Sequence, residues 1–149
     1  MNELEKINNR IDNAIKKFDS SFMSNSKWSK LIHALIDNEI DIAEFEIKYV
    51  RTNHIYKELG FCFEESYENN FTKFGLLDGG LTSGPANFKE IEWIEFKDNL
   101  VFCRRHNKKA ELNYKKRIQY VDIIVDILNS LGSFEYEKNN YRLKIYGYK

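Results

Sequence analysis

Ala43-Glu44-Phe45-Glu46-Ile47-Lys48-Tyr49-Val50 alternates in character, with Ala43, Phe45, Ile47 and Tyr49 on one parity and Glu44, Glu46, Lys48 and Val50 on the other. A two-residue period is that of a half-buried strand, whose successive side chains point to opposite faces. The segments before it keep a different period. Leu4, Ile7, Ile11, Ala14 or Ile15 and Phe18 recur every three to four residues and predict a helix from about Asn2 to Asp19. Ser20 to Ser26 is a polar break, and Ser24 or Ser26 can cap a second helix that buries Trp28, Leu31, Ile32, Leu35 and Ile36.

Downstream of the alternating run, a second strand is expected over Gly60 to Glu64, with His54 to Leu59 equally compatible with a helical turn. A third is expected near Phe71 to Leu77, ending at Asp78-Gly79-Gly80. Phe88 to Phe96 reads as strand but carries apolar residues on both parities, Ile91 and Trp93 on one, Ile94 and Phe96 on the other. A central strand covered on both sides accounts for that. From Asn113 to Leu131 the spacing predicts a long helix with Tyr114, Ile118, Val121, Ile124 or Val125 and Leu128 inward and Gly132 at its end; a start nearer Lys108 stays open. Phe134 and Tyr136, then Tyr141, Leu143 and Ile145, predict a hairpin turning at Lys138-Asn139-Asn140. The expectation is an α+β fold in one domain over residues 1–149, with a mostly antiparallel sheet of about four to six strands packed against two N-terminal helices and one long helix in the C-terminal half.

The 149 residues carry 23 basic and 23 acidic side chains. Residues 1–100 hold 12 basic and 18 acidic groups, and 101–149 hold 11 and 5, so local fields and not net charge govern association. Cys62 and Cys103 sit in apolar surroundings and read as buried free thiols of a reducing compartment. No 18-residue apolar run is present and no basic patch leads into an apolar leader, so a cytoplasmic protein with no membrane contact is expected.

The glycine-rich run Leu76 to Pro85 lacks the lysine and the following helix of a phosphate-binding loop and reads as a tight connection. His33, His54 and His106 have no Cys, Asp or Glu at metal-ligand spacing, so no metal and no cofactor are expected. Cys62 with His54, or Cys103 with His106, lacks a third orienting group. Glu44 and Glu46 share a strand face, whereas strict alternation sends Glu92 and Glu95 to opposite faces.

Two charge clusters remain. Arg104, Arg105, Lys108, Lys109, Lys115, Lys116 and Arg117 place seven cations in fourteen residues against Glu111 alone, a density suited to phosphate contacts, although Lys115, Lys116 and Arg117 also read as the solvated flank of a helix. Residues 39–95 hold twelve acids against five bases, interleaved with Tyr56, Tyr67, Phe71 and Trp93. Such a surface reads as a solvated acidic face or as one that suits a basic protein partner, and on the second reading Glu44, Glu46, Glu64, Glu65, Tyr67, Asp78, Glu92 and Glu95 are the candidate contacts.

Asn25-Ser26-Lys27-Trp28, Ile91-Glu92-Trp93-Ile94-Glu95 and Tyr141-Arg142-Leu143-Lys144-Ile145-Tyr146-Gly147-Tyr148 carry one resemblance. An N-x-K-W helix start, an I-E-W-[IV]-E strand and an R-[VL]-x-[IV]-Y-G-Y end look like a family of small bacterial cytoplasmic domains, and that resemblance implies no catalytic residues. In general look the chain is also similar to immunity proteins of bacterial polymorphic toxin systems, which neutralise a cognate toxin by binding it. The helix Asn2 to Asp19 and the basic stretch Arg104 to Lys116 depart from the first pattern. The leading expectation is a non-enzymatic protein-binding module of the immunity type. The alternatives are nucleic-acid binding through 104–117 and an enzyme whose site is not readable in one dimension. The aromatic content is equally compatible with a homodimer face.

Overall fold

The computed structural model describes residues 1–38, 40, 44–59, 75–76, 86–106, 112–119 and 121–149. Helix α1 spans Glu3–Ile15 and begins in a capping box, the Asn2 side chain accepting from the Glu5 backbone N–H at 2.8 Å while the Glu5 carboxylate accepts from the Asn2 N–H at 3.0 Å. Helix α2 spans Asn25–Asp37, and Ser24, not Ser26, caps it by accepting from the Lys27 N–H at 3.1 Å.

Five strands form the main sheet: β1 (Glu44–Tyr49), β2 (Ile55–Leu59), β5 (Ile91–Lys97), β8 (Tyr136–Lys138) and β9 (Arg142–Tyr146), in the order β2-β1-β5-β9-β8 with every pairing antiparallel. Two short strands, β3 (Gly75–Leu76) and β4 (Ala86–Asn87), pair with each other, and a 3-10 turn at Phe88–Glu90 leads into β5. A separate ribbon joins β6 (Asn99–His106) to β7 (Leu112–Gln119), and helix α3 follows at Val121–Leu131.

The inner face of the sheet is apolar by register. Phe45 lies opposite Phe96, Ile47 opposite Ile94, and Leu143 and Ile145 continue the two rows on β9. Trp28, Leu31 and Leu35 of α2 and Val121, Ile124 and Leu128 of α3 cover them, all buried. Trp28 stacks on Phe88 with ring centroids 6.4 Å apart, so removing either ring takes away contact area from the largest side chains of the core. A smaller cluster of Ile11, Ala14, Val50 and Tyr148 fastens α1 to the end of the sheet where β1 and β9 finish.

Several expectations change. The predicted helix over Asn113 to Leu131 begins only at Val121; Leu112 to Gln119 is strand. Tyr114 and Ile118 are four residues apart, which fits a helical stripe, but they are also two steps of an alternating strand, and pairing with β6 decides between these readings. The helix starts where it does because the Asp98 carboxylate accepts from the Val121 N–H at 2.7 Å, a cap supplied from the turn after β5. Gly132, at φ 146°, ends it as expected. The stretch before Gly60 is strand β2, and the strand expected over Gly60 to Glu64 lies outside the described residues. On α1 only the later part of the expected stripe is buried, with Leu4 65% and Ile7 39% exposed.

Candidate functional site

The mixed parity of Phe88 to Phe96 has two causes, cover on both sides, which buries Trp93 and Glu95 on one face and Ile94 and Phe96 on the other, and a bulge. Lys48 pairs with Trp93, but the next residue, Tyr49, pairs with Ile91, so β5 holds an extra residue at Glu92. This bulge returns Ile91 to the core beside Ile94 and turns Glu92 outward to ion-pair with Lys48. Strict alternation had separated Glu92 from Glu95; the bulge brings both to the outer face. β5 is indeed the central strand.

On that outer face the register sets like charges side by side. Glu46 lies opposite Glu95, and Lys97 opposite Arg142. Direct like-charge neighbours repel across a ladder, and diagonal pairing resolves it. Lys97 donates to Glu46 at 3.0 Å, Arg142 to Glu95 at 3.3 Å, and Lys144 stands 3.5 Å from the other Glu95 oxygen. The Glu95 side chain is only 8% exposed, while the Arg142 side chain that meets it is 51% exposed. Cations also sit over rings: Lys144 lies 4.2 Å from the Trp93 centroid and Lys149 4.5 Å from that of Tyr146.

Lys149 bridges Glu135 and Glu137 at 2.9 and 3.4 Å. The hydrogen bond with Glu135 is the main reason its ammonium is held above its usual range. Burial, and then the hydrogen bond to Glu137, raises the Tyr146 hydroxyl above 10.0. The carboxylates of this face are thus committed to cations of the same chain.

Of the expected contacts, the fold unites Glu46, Glu92 and Glu95. Glu44 opens β1 in register with Leu59, and Glu64, Glu65, Tyr67 and Asp78 lie outside the described residues. What the sequence reading missed is the basic half of this face, Lys48, Lys97, Arg142 and Lys144. Their signal was present in the parity of β9, where Arg142, Lys144 and Tyr146 alternate with buried Leu143 and Ile145.

The basic run falls on the ribbon and not on a helix flank. Lys115, Lys116 and Arg117 lie across from Cys103, Phe102 and Val101, and Arg104 and Arg105 across from Tyr114 and Asn113. Lys108 and Lys109 are outside the described residues, as is Cys62. His33 is exposed on α2, and His54 meets the Tyr56 ring edge-on at 4.4 Å. Among the described residues no group of three or more His, Cys, Asp or Glu is placed to hold a metal ion, and no helix is long and apolar enough to cross a membrane.

A family model described as a family of unknown function, DUF6678, matches residues 12–149. No curated protein and no solved structure matches the chain.

Proposed function

The chain belongs to the family DUF6678, and we propose that it acts as a non-enzymatic protein-binding module, an immunity-type protein of the bacterial cytoplasm that neutralises a toxin by direct contact. One observation carries this reading. The outer sheet face, opposite the one α2 and α3 pack on, sets Trp93 and Tyr146 under lysines and rims them with partly exposed ion pairs. Aromatic and arginine side chains on rigid strands are the groups that dominate protein interfaces, and a charge rim steers a charged partner into register. Because Glu46, Glu92 and Glu95 are already paired, a basic partner gains only by displacing Lys97, Lys48 or Arg142. The face therefore suits a partner of mixed charge better than a uniformly basic one.

The test is capture from the host with tagged wild type and with Arg142→Glu, followed by expression of the captured protein alone and together with this chain. A protein retained by wild type, lost with the variant, toxic alone and harmless in combination supports the reading. Retention equal in both proteins removes this face from the account, and a retained protein without toxicity removes the immunity role.

A second reading rests on the ribbon. A two-stranded β-ribbon fits the major groove of a duplex, and β6 and β7 carry Arg104, Arg105, Lys115, Lys116 and Arg117. Nucleic-acid affinity that falls steeply with salt supports it; no binding at low salt removes it.

A further inference from the structure

A cleft of about 670 Å³ separates α1 from the turn after β1. Arg10 and Asn13 of α1 and Lys17 just beyond its end line one wall, Arg51 and Asn53 face them from the turn, and the buried side chains of Ala14 and Val50 lie at its base. None of the residues lining it is acidic.

Two of the three cations are not spent on internal pairing in the way those of the sheet are. Arg10 and Lys17 are exposed and make no ion pair among the described residues. Seven residues apart at helical spacing, they stand about 10 Å from each other along the α1 direction. Arg51 is held differently. Its Nε donates to Glu90 at 2.9 Å, and Glu90, itself buried, also accepts from the Asn87 N–H at 2.9 Å. One edge of the guanidinium is thereby fixed, and its position at the cleft is preorganised.

We propose that this cleft binds an organic phosphate of nucleotide size. Its volume lies within the roughly 300–1,000 Å³ of small-molecule sites. Arg10 and Lys17, with no carboxylate in the lining and with Arg51 already paired to Glu90, favour an anion over a neutral ligand, and a guanidinium presents paired donors that match phosphate oxygens. The spacing of Arg10 and Lys17 suits a chain of two or more phosphoryl groups better than a single one. Asn13 and Asn53 supply donors and acceptors for the rest of the molecule, and Ala14 and Val50 an apolar seat. The site shares no lining residue with the paired charges of the outer sheet face and does not depend on that face binding a protein.

Calorimetric titration of the full chain at low ionic strength with ADP, inorganic pyrophosphate and adenosine tests it. ADP is expected to bind, pyrophosphate to bind more weakly, and adenosine not at all. Arg10→Glu and Lys17→Glu alter exposed side chains, so each variant should keep the wild-type melting temperature while losing about tenfold in ADP affinity. No heat from either ADP or pyrophosphate, adenosine binding as tightly as ADP, or unchanged ADP affinity in both variants overturns the proposal.

Discussion

Gly147 donates its backbone N–H to the carbonyl oxygen of Glu92 at 2.7 Å, so the end of the last strand is bonded directly to the bulge of the central one. The Ile91-Glu92-Trp93 and Tyr146-Gly147-Tyr148 segments, far apart in sequence, are thus one structural unit. A Cβ at Gly147 would collide with the carbonyl oxygen of Ile91, and that atom belongs to backbone with no room to give. Gly147→Ala should therefore destabilise the fold by about 1–3 kcal/mol, as overpacking does. A lower urea midpoint at unchanged m-value is the expected signature.

Asp98 and Val121 define the start of α3 across 23 residues of sequence. Asp98→Ala should cost about 1 kcal/mol, the usual worth of an N-cap, while Asp98→Asn retains an acceptor and should cost less. Urea denaturation of the two variants distinguishes a cap from a general charge effect.

Glu95 gathers Arg142 and Lys144 on the outer face while its own side chain is buried. Glu95→Ala should cost about 2 kcal/mol, in line with hydrogen bonds to charged groups. Glu46→Ala, at a glutamate whose own side chain is more exposed than that of Glu95, should cost about 0.5 kcal/mol in the same denaturation assay.

Tyr148 donates its hydroxyl to the Lys89 carbonyl oxygen at 2.9 Å, and burial first, then the nearby Asp12 carboxylate, raises its pKa above 10.0. A folded-state value above the unfolded one means that the folded protein holds the proton more tightly. The stabilisation is complete below pH 10.0 and is lost as pH rises through the folded value. Tyr148→Phe should cost about 1 kcal/mol at neutral pH and show a shallower loss of stability on the alkaline side. Thermal midpoints measured from pH 8 to 11 read both effects.

The elements with an unambiguous period were legible in the sequence: α1, α2, β1 and the β8–β9 hairpin, where Asn139 supplies the turn by accepting from the Tyr141 and Arg142 N–H groups at 3.1 and 2.9 Å. Strand β7 was not, because residues four apart satisfy a helix and a strand alike and only the partner strand chooses. The bulge at Glu92 was visible as mixed parity but not as its cause, since an extra residue in one strand is defined by its neighbour's register. For the same reason the acidic residues of the outer face could be named from sequence while their diagonal cations could not. Which carboxylate is already neutralised depends on strand order, and strand order is a tertiary fact.

Protein binding by the outer sheet face is the proposal on which the rest depends. Its most direct measurement is the affinity of the protein captured by wild type for Arg142→Glu and Tyr146→Ala, with Arg10→Glu, on the separate cleft, as the control. Losses of about tenfold or more are expected for the two sheet variants and none for the control. Equal affinity across all three contradicts it.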